Sequence, residues 1–298
     1  MVNNSPIGFI GFGEAGFSLG SGLRDAGAPR IFAYDINANT PGLGEKIRQR
    51  ALVSGTTLLD SPENLARSCC TLLCTVTANA AVEAAEQTAP FLEPRHLYTD
   101  LNSVSPAIKR VIDAIVTSGG ARFVEAAIMS PVPRHGHRVP ISLGGAHAQT
   151  LVDLMTPYGM RLDVISDRVG AASATKMCRS IMVKGLEALL FECALAASRY
   201  GADERVFASL DETFPGIDWS KLAGYTIGRV IEHGERRARE MEEVAETLRA
   251  VGIEPMMAEA TSRRQEWGAR LNLLDHFGGT PPEDYRVVVQ VINERSGY

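Results

Sequence analysis

The 298-residue sequence lacks long blocks of like charge and long apolar runs. Its 30 basic and 35 acidic residues give a formal net charge of −5. This balance argues against nucleic acids and membrane surfaces as main partners. No apolar run reaches the ~18 residues that a membrane-spanning helix needs. The N-terminus, MVNNSPIGFIGFG, has neither a basic segment nor a cleavable apolar segment, so we expect a cytoplasmic protein.

Cysteine is scarce, and its spacing fits no common framework. The five cysteines are an odd number, and three of them lie in one apolar run, SCCTLLCTV. Neither a disulfide framework nor a zinc site is predicted, because no CxxC pairs occur. We expect buried thiols in a reducing compartment.

The chain is long enough for about two domains of roughly 150 residues each. Up to about residue 166, short apolar runs alternate with helical segments. This alternation predicts a mainly parallel sheet with helices on both faces. The candidate strands are residues 7–11, 30–35, 70–76, 96–101, 122–128, 139–145 and 161–166.

Helical patterns dominate the rest of the chain. They cover residues 170–200, 203–213, 218–232, 235–250, 256–271 and 282–295. No linker rich in proline or glycine separates the two halves. The sequence therefore predicts an α/β domain over residues 1–166 and an all-α domain over 167–298, with the long helix as the connection.

A glycine pattern near the N-terminus predicts a dinucleotide-binding turn. Gly11, Gly13 and Gly16 form GxGxxG between an apolar strand and a helix, and Asp35 ends the next strand about 20 residues on. Gly11 allows the tight turn, Gly13 lets a pyrophosphate approach the backbone, and Gly16 lets helix pack on strand. A plain glycine turn is the alternative. The candidate cofactor-binding residues are Gly11, Phe12, Gly13, Glu14, Ala15, Gly16, Asp35, Thr75 and Val76.

Asp35 bears on the choice of cofactor. A carboxylate at this position accepts hydrogen bonds from the ribose 2′-hydroxyl and repels a 2′-phosphate. The next basic residue is Lys46. The sequence thus favours NAD and leaves NADP open. The fold class predicted is a Rossmann-type, doubly wound, mostly parallel sheet followed by an all-α C-terminal domain.

Four segments, in order, resemble the β-hydroxyacid dehydrogenases, the family of 3-hydroxyisobutyrate and 6-phosphogluconate dehydrogenases. The glycine turn is the first. The second, residues 100–106 (DLNSVSP), is similar to the family's substrate block Asp-x-Ser-Thr/Ser-x-x-Pro. The resemblance implies that Asn102 and Ser103 bind a substrate carboxylate. Independently, Ser105 before a proline predicts a helix N-cap.

The third segment, residues 125–138 (EAAIMSPVPRHGHR), stands where the family has Asp-Ala-Pro-Val-Ser-Gly-Gly. Ser130 and Pro131 replace glycines that approach the substrate, so the resemblance implies a substrate contact for Ser130. A basic cluster follows, which is either a solvated loop or, as we favour, an acid-recognising loop near the active site. Its two histidines lack further ligands at useful spacing, so no metal site is predicted. The cluster comprises Arg134, His135, His137 and Arg138.

The fourth segment, residues 170–176 (GAASATK), resembles Gly-x-Gly-x-x-x-Lys-x-x-Asn-Asn. The resemblance implies that Lys176 is the general acid/base of hydride transfer. Arg179 and Ser180 stand at the two asparagine positions, where they could bind a substrate acid and the reacting oxygen.

Further polar residues continue along one face of this helix. Lys184 and Glu187 follow Lys176 and Ser180 at helical spacing. Taken alone, such a stripe is explained by the solvated face of an amphipathic helix. The glycine turn and residues 100–106, in the family's order, instead favour a polar face turned toward the nicotinamide pocket. The roles of Lys184 and Glu187 stay open between support of the site and a simple ion pair.

The resemblance implies an NAD(P)-dependent oxidoreductase acting on a small hydroxy acid or its aldehyde or keto-acid partner, with a homodimer built from the helical half. The departures from the family motifs resemble a less-characterised, phosphogluconate-dehydrogenase-like branch. Three alternatives stay open: reduction of an imine or another carbonyl, oxidative decarboxylation of a phosphorylated sugar acid, and a dinucleotide-sensing protein without catalysis.

Overall fold

The computed structural model describes residues 5–297. They form two compact units, the first ending at Lys176 and the second beginning at Met177. The sequence predicts the boundary earlier, between residues 166 and 167. Within the described range, no helix combines the length and the apolar character needed to cross a membrane.

The first unit contains an eight-stranded sheet in the order β3-β2-β1-β4-β5-β6-β7-β8. Every neighbouring pair is parallel except β6 and β7. All seven strands predicted from the sequence are present, and the two-residue β3 is an addition. The strands are β1 (Ile7–Ile10), β2 (Ile31–Tyr34), β3 (Thr57–Leu58), β4 (Thr71–Cys74), β5 (Leu97–Asp100), β6 (Arg122–Ile128), β7 (Pro140–Gly144) and β8 (Arg161–Ser166).

Helices cover both faces of this sheet. The adjacent residues Leu72 and Leu73 of β4 belong to two different hydrophobic cores, as the alternation of side chains along a strand requires. One core includes residues of α1, α2 and α7, and the other includes residues of α3, α4 and α5. The predicted doubly wound class is confirmed. The helices are α1 (Glu14–Asp25), α2 (Leu43–Ser54), α3 (Pro62–Ser68), α4 (Ala81–Thr88), α5 (Pro106–Thr117), α6 (Val132–His135) and α7 (Ala148–Met155).

Helices make up the second unit, which confirms the predicted all-α C-terminal part. Phe191, Ile227 and Val288 lie in its main core. The long α8 begins in the first unit and continues into the second. The helices are α8 (Ala171–Arg199), α9 (Asp203–Thr213), α10 (Trp219–Arg249), α11 (Met256–Arg270), α12 (Leu273–His276) and α13 (Tyr285–Ser296).

The predicted break between helices 218–232 and 235–250 is wrong, because α10 runs through Gly234 without interruption. A glycine inside a helix costs roughly 1 kcal/mol relative to alanine. Here it permits close packing, since a Cβ at Gly234 would lie 2.6 Å from the carbonyl oxygen of Gln265 in α11. Tertiary packing therefore overrides the local signal for a helix end.

A buried ion pair ties α5 to the sheet. The Nζ atom of Lys109 donates to Asp100 Oδ1 at 2.6 Å, to the Asp100 carbonyl oxygen at 2.8 Å and to the Ala126 carbonyl oxygen at 3.2 Å. Both side chains are almost fully buried. The ammonium group thus uses its three donors on β5 and β6.

We predict that Lys109→Ala destabilises the first unit by about 3–5 kcal/mol, because it leaves the Asp100 carboxylate buried without its cation. Urea unfolding followed by circular dichroism measures the loss. The matched control is Arg67→Ala, which removes an exposed pair with Glu63 and should cost less than about 1 kcal/mol. Equal losses in the two variants would contradict this role for Lys109.

Candidate active site

The glycine turn lies at the end of β1. Gly11 has φ +82°, a conformation that favours glycine. Its N–H donates to the Tyr34 carbonyl oxygen at 2.8 Å, and its own carbonyl oxygen accepts from Thr75 Oγ1 at 2.8 Å. A Cβ at Gly16 would lie 2.7 Å from the Gly11 oxygen, whereas one at Gly13 would meet nothing within 4 Å. Gly16 therefore serves packing, and Gly13 faces open space.

A cavity of about 430 Å³ adjoins this turn, and we call it the switch-point cavity. It lies at the carboxyl ends of β1, β2 and β4. The strand order reverses between β1 and β4, because β2 and β3 extend the sheet on one side and β5 to β8 extend it on the other. Open α/β sheets bind ligands at such a point. Its lining comprises Ile10, Gly11, Gly13, Glu14, Tyr34, Asp35, Ile36, Asn37, Leu43, Lys46, Ile47, Arg50, Thr75, Val76, Thr77, Ala80, Glu83, Ala84, Gln87 and Thr88.

Six of the nine candidate cofactor residues line this cavity: Gly11, Gly13, Glu14, Asp35, Thr75 and Val76. Phe12, Ala15 and Gly16 do not. The Phe12 side chain is fully buried in the core instead, and its backbone N–H donates to Asp35 Oδ2 at 2.7 Å. The turn and the acid at the end of β2 are thus joined directly, although 23 residues separate them in the chain.

The cavity's residues fit a dinucleotide. Gly13 leaves space beside the N-terminus of α1, where a helix attracts a pyrophosphate. Asp35 Oδ1 accepts the Asn37 N–H at 2.9 Å, which holds the carboxylate at the cavity wall. Lys46 and Arg50 line the same cavity from α2, a helix that the sequence reasoning missed. Their spacing of four residues on one helix is the signal that would have placed them together.

A buried carboxylate holds the start of the helix that carries Lys176. Glu125 in β6 is fully buried. Its Oε2 accepts the Gly170 N–H at 2.5 Å, and its Oε1 accepts the Ser173 N–H at 2.6 Å. Because the first N–H groups of a helix have no partners within it and carry partial positive charge, an acid here fixes the first turn of α8.

Two glycines make this arrangement possible. A Cβ at Gly144 in β7 would lie 2.8 Å from Glu125 Oε2. Gly170 has φ +104°, and a Cβ there would lie 2.8 Å from Arg110 Nη1. Sequence reasoning missed Glu125 as a supporting residue. The available signal was a charged residue inside an otherwise apolar strand, which needs a buried partner.

The predicted substrate loop after β5 is held from inside. Asp100 Oδ1 accepts the Asn102 backbone N–H at 2.9 Å, and the Asn102 Nδ2 group donates to Asp100 Oδ2 at 3.1 Å and to Cys74 Sγ at 3.3 Å. Burial, followed by the nearby Asp100 charge, raises the pKa of Cys74 to about 12, so the thiol stays neutral. Asn102 Oδ1 is buried and has no hydrogen-bond partner within residues 5–297. The Nδ2 group of Asn102 therefore stabilises the loop itself.

Other predicted site residues are more accessible. Ser103 and Ser130 are half-buried. Ser103 lies shortly after the end of β5, and Ser130 lies shortly after the end of β6. The predicted cap is confirmed, since Ser105 Oγ accepts the Ile108 N–H at 3.3 Å. On α8, Lys176 is half-buried and Arg179 is exposed. Ser180 is buried.

The basic cluster at residues 134–138 does not act as one surface loop. His137 is buried and packs against Gly22 of α1. Burial, together with Arg138, lowers the pKa of this histidine. Arg134, His135 and Arg138 are exposed. The predicted acid-recognising loop therefore lacks His137, and it stays a prediction for the other three side chains.

The cysteines only partly match the prediction of buried thiols. Cys69 and Cys74 are buried, but Cys178 is exposed, because it lies on a different side of α8 from the buried Met177. Among the residues that the structure describes, no three His, Cys, Asp or Glu side chains gather as a metal site would require.

Comparisons with known protein families match both halves of the chain. Residues 6–134 match the NAD-binding domain of 6-phosphogluconate dehydrogenase. Residues 197–268 match a domain of unknown function called DUF1932.

Two solved structures and one curated relative are similar over most of this chain. A conserved hypothetical protein from Sinorhizobium meliloti 1021 is 37% identical, with 98% of this chain and 97% of that one covered and a TM-score of 0.83. A conserved protein of unknown function, described as structurally similar to 3-hydroxyacid dehydrogenases, is 33% identical, with 90% and 98% covered and a TM-score of 0.75.

The curated relative is a mitochondrial 3-hydroxyisobutyrate dehydrogenase of Drosophila melanogaster. It is 25% identical over 220 residues, which cover 72% of this chain and 65% of the relative. The match thus spans about two thirds of that enzyme's length. With the family models and the two solved structures, it shows that the chain belongs to the NAD(P)-dependent 3-hydroxyisobutyrate and 6-phosphogluconate dehydrogenase-like family of oxidoreductases, in a poorly characterised branch.

Proposed function

We propose that this protein is an NAD-dependent dehydrogenase that interconverts a small 3-hydroxy acid and its aldehyde or keto-acid partner. The observation that carries the proposal is the switch-point cavity, where an open glycine turn and the Asp35 carboxylate share one wall. The similarity to 3-hydroxyisobutyrate dehydrogenases supports the substrate class. A screen of small 3-hydroxy acids with NAD and NADP tests it, and failure of every acid to reduce either cofactor would contradict it.

In this mechanism Lys176 is the general acid/base. When bound, the nicotinamide dinucleotide would accept the hydride during oxidation of the alcohol and supply it during reduction. Lys176 would take the proton of the substrate hydroxyl in the first direction and return it to the carbonyl oxygen in the second. The proposed substrate contacts are Asn102, Ser103, Ser130, Arg179 and Ser180. The homodimer and the cytoplasmic location stay predictions.

Cofactor preference gives the first prediction here. We expect NADH to bind at least about tenfold more tightly than NADPH, because Asp35 accepts from a 2′-hydroxyl and repels a 2′-phosphate. Asp35→Asn should narrow this ratio, since it removes the repulsion while Lys46 and Arg50 still line the cavity. Fluorescence titration measures both affinities.

The matched control is Arg50→Ala, which should weaken the binding of NADPH more than the binding of NADH. Tighter binding of NADPH than of NADH by the unmodified protein would refute the proposed preference for NAD.

The role of Lys176 gives a second prediction. Lys176→Ala should lower kcat by roughly 10²–10⁴-fold, the usual contribution of a positioned acid/base group. NADH affinity should change little, because Lys176 does not line the switch-point cavity. Steady-state turnover and NADH titration separate the two effects, and an unchanged turnover rate would exclude the role.

Glu125 gives a third prediction. Glu125→Gln keeps the shape of the side chain but leaves one backbone N–H of α8 facing an amide N–H₂. We expect kcat to fall about tenfold or more through misplacement of Lys176, with NADH affinity preserved. The exposed Glu86 provides the control, Glu86→Gln, which should leave kcat unchanged. If both variants turn over at the unmodified rate, Glu125 does not position the lysine.

A further inference from the structure

The part of the polar stripe that lies in the second unit is buried, so it is not a solvated face. The exposed fractions are 8% for Ser180, 7% for Lys184 and 2% for Glu187. Charged side chains are seldom buried to this degree without partners or a task. Each of these three therefore needs an account of its contacts.

Glu187 is satisfied within the helical unit. Arg237 of α10 donates to both of its carboxylate oxygens. Gln265 of α11 donates to Glu187 Oε2 through its Nε2 group at 2.9 Å. The contact with Arg237 is that of a bidentate structural pair. Together with Gln265, it makes Glu187 a cross-link between three helices.

Lys184 makes a different kind of contact. Its Nζ atom donates to Ser180 Oγ at 3.0 Å and pairs with Glu240 Oε2 of α10 at 3.2 Å. Four residues separate Lys184 from Ser180, which places the two side chains on adjacent turns of one helix face. The lysine is thus held between a counter-ion and a hydroxyl group.

The direction of the hydrogen bond decides what Ser180 can do. An ammonium group has donors and no acceptor, so Ser180 Oγ must accept from Lys184, and the serine's own hydrogen is left for another partner. Elsewhere on this helix, Ser173 and Thr175 donate their hydroxyl hydrogens to the carbonyl oxygens of Gly170 and Ala171. Within residues 5–297, Ser180 makes no such bond.

The sequence departs from the family at this point. Ser180 stands where the family motif has an asparagine, whose planar amide presents two donors in fixed directions. A lone serine hydroxyl rotates freely. A protonated lysine that donates to the serine oxygen prevents the hydroxyl hydrogen from pointing toward the lysine, and it polarises the O–H group. The serine and lysine together can therefore replace one donor of the amide.

We propose that Lys184 is a positioning residue that holds the Ser180 hydroxyl as a hydrogen-bond donor to a substrate oxygen, either of the carboxylate or of the reacting carbonyl. This inference rests on the proposed function. The role requires the protonated form of Lys184, because a neutral amine would accept the Ser180 hydrogen and turn the hydroxyl inward.

The charged groups around Lys184 make this requirement sensitive to pH. Burial lowers the pKa of Lys184, and Arg237 adds to this effect, while Glu240 and Glu187 oppose it. Raising the pH should therefore withdraw the Ser180 donor earlier than the ordinary pKa of a lysine would suggest. Arginine at this position stays protonated throughout the accessible range.

The test compares Ser180→Ala, Lys184→Met, the double variant and Lys184→Arg, with 3-hydroxyisobutyrate as the probe. We expect each of the first two to lower kcat/KM by about tenfold and the double variant by no more than about twofold beyond either, because both remove one donor. Lys184→Arg should keep part of the activity and move the alkaline fall of kcat/KM to higher pH. The exposed Lys221 provides the control, Lys221→Met, which should change nothing.

The proposal would be overturned if the losses of kcat/KM in the two single variants multiplied in the double variant. It would also be overturned if Lys184→Arg left the alkaline fall of kcat/KM at the same pH. If Lys184→Met does not fold, as judged by its melting temperature and NADH binding, the pH profile of Lys184→Arg decides alone. Normal turnover in the unmodified protein with these results would overturn only this inference. If the unmodified protein binds NADH but turns over none of the screened 3-hydroxy acids, the proposed function and this inference are overturned together; if another acid of the screen is turned over, it replaces 3-hydroxyisobutyrate as the probe.

Discussion

The bond between the Glu125 carboxylate and the first N–H groups of α8 is the contact on which the candidate site depends. It joins the middle of the sheet to the helix that carries Lys176, across 45 and 48 residues of chain. A buried acid is costly unless its oxygens are satisfied, and a helix N-terminus satisfies them with donors and a favourable dipole. The sheet thereby holds the first turn of the helix that carries the lysine.

The same principle recurs in both units. Lys109 and Asp100 stabilise the loop after β5. Glu187 joins α8 to α10 through Arg237 and to α11 through Gln265. In each case a charged pair is buried at a position where well-packed apolar residues often give equal or greater stability. Asp100 begins one of the segments that the family resemblance links to substrate, which agrees with a demand for fixed geometry there.

Local patterns made much of the fold predictable. The seven longer strands, the cap at Ser105 and the glycine turn all depend on residues near one another in sequence. The two-residue β3 was too short to give a signal, and the break predicted near Gly234 failed because packing against α11 decides that position. The glycine turn predicted a dinucleotide site at the place where the switch-point cavity lies. The contribution of α2 to the wall of this cavity was not predicted.

The supporting residues of the site were not predictable in this way. Glu125 and Lys109 find their partners across strands and helices that a single sequence does not bring together. Helical spacing alone favours a solvated face for the stripe on α8, because it does not tell which side of an amphipathic helix is covered. Only the packing of α10 and α11 shows that Ser180 and Lys184 are buried.

The most direct test of the central claim follows the hydrogen that moves. A 3-hydroxy acid that the protein oxidises, labelled with deuterium on its carbinol carbon, is turned over with NAD, and the reduced cofactor is analysed by NMR. The account predicts that the deuterium appears on C4 of the reduced nicotinamide, on one face only, while the hydroxyl proton is lost to water. Deuterium that stays in the acid or is released to solvent would contradict it.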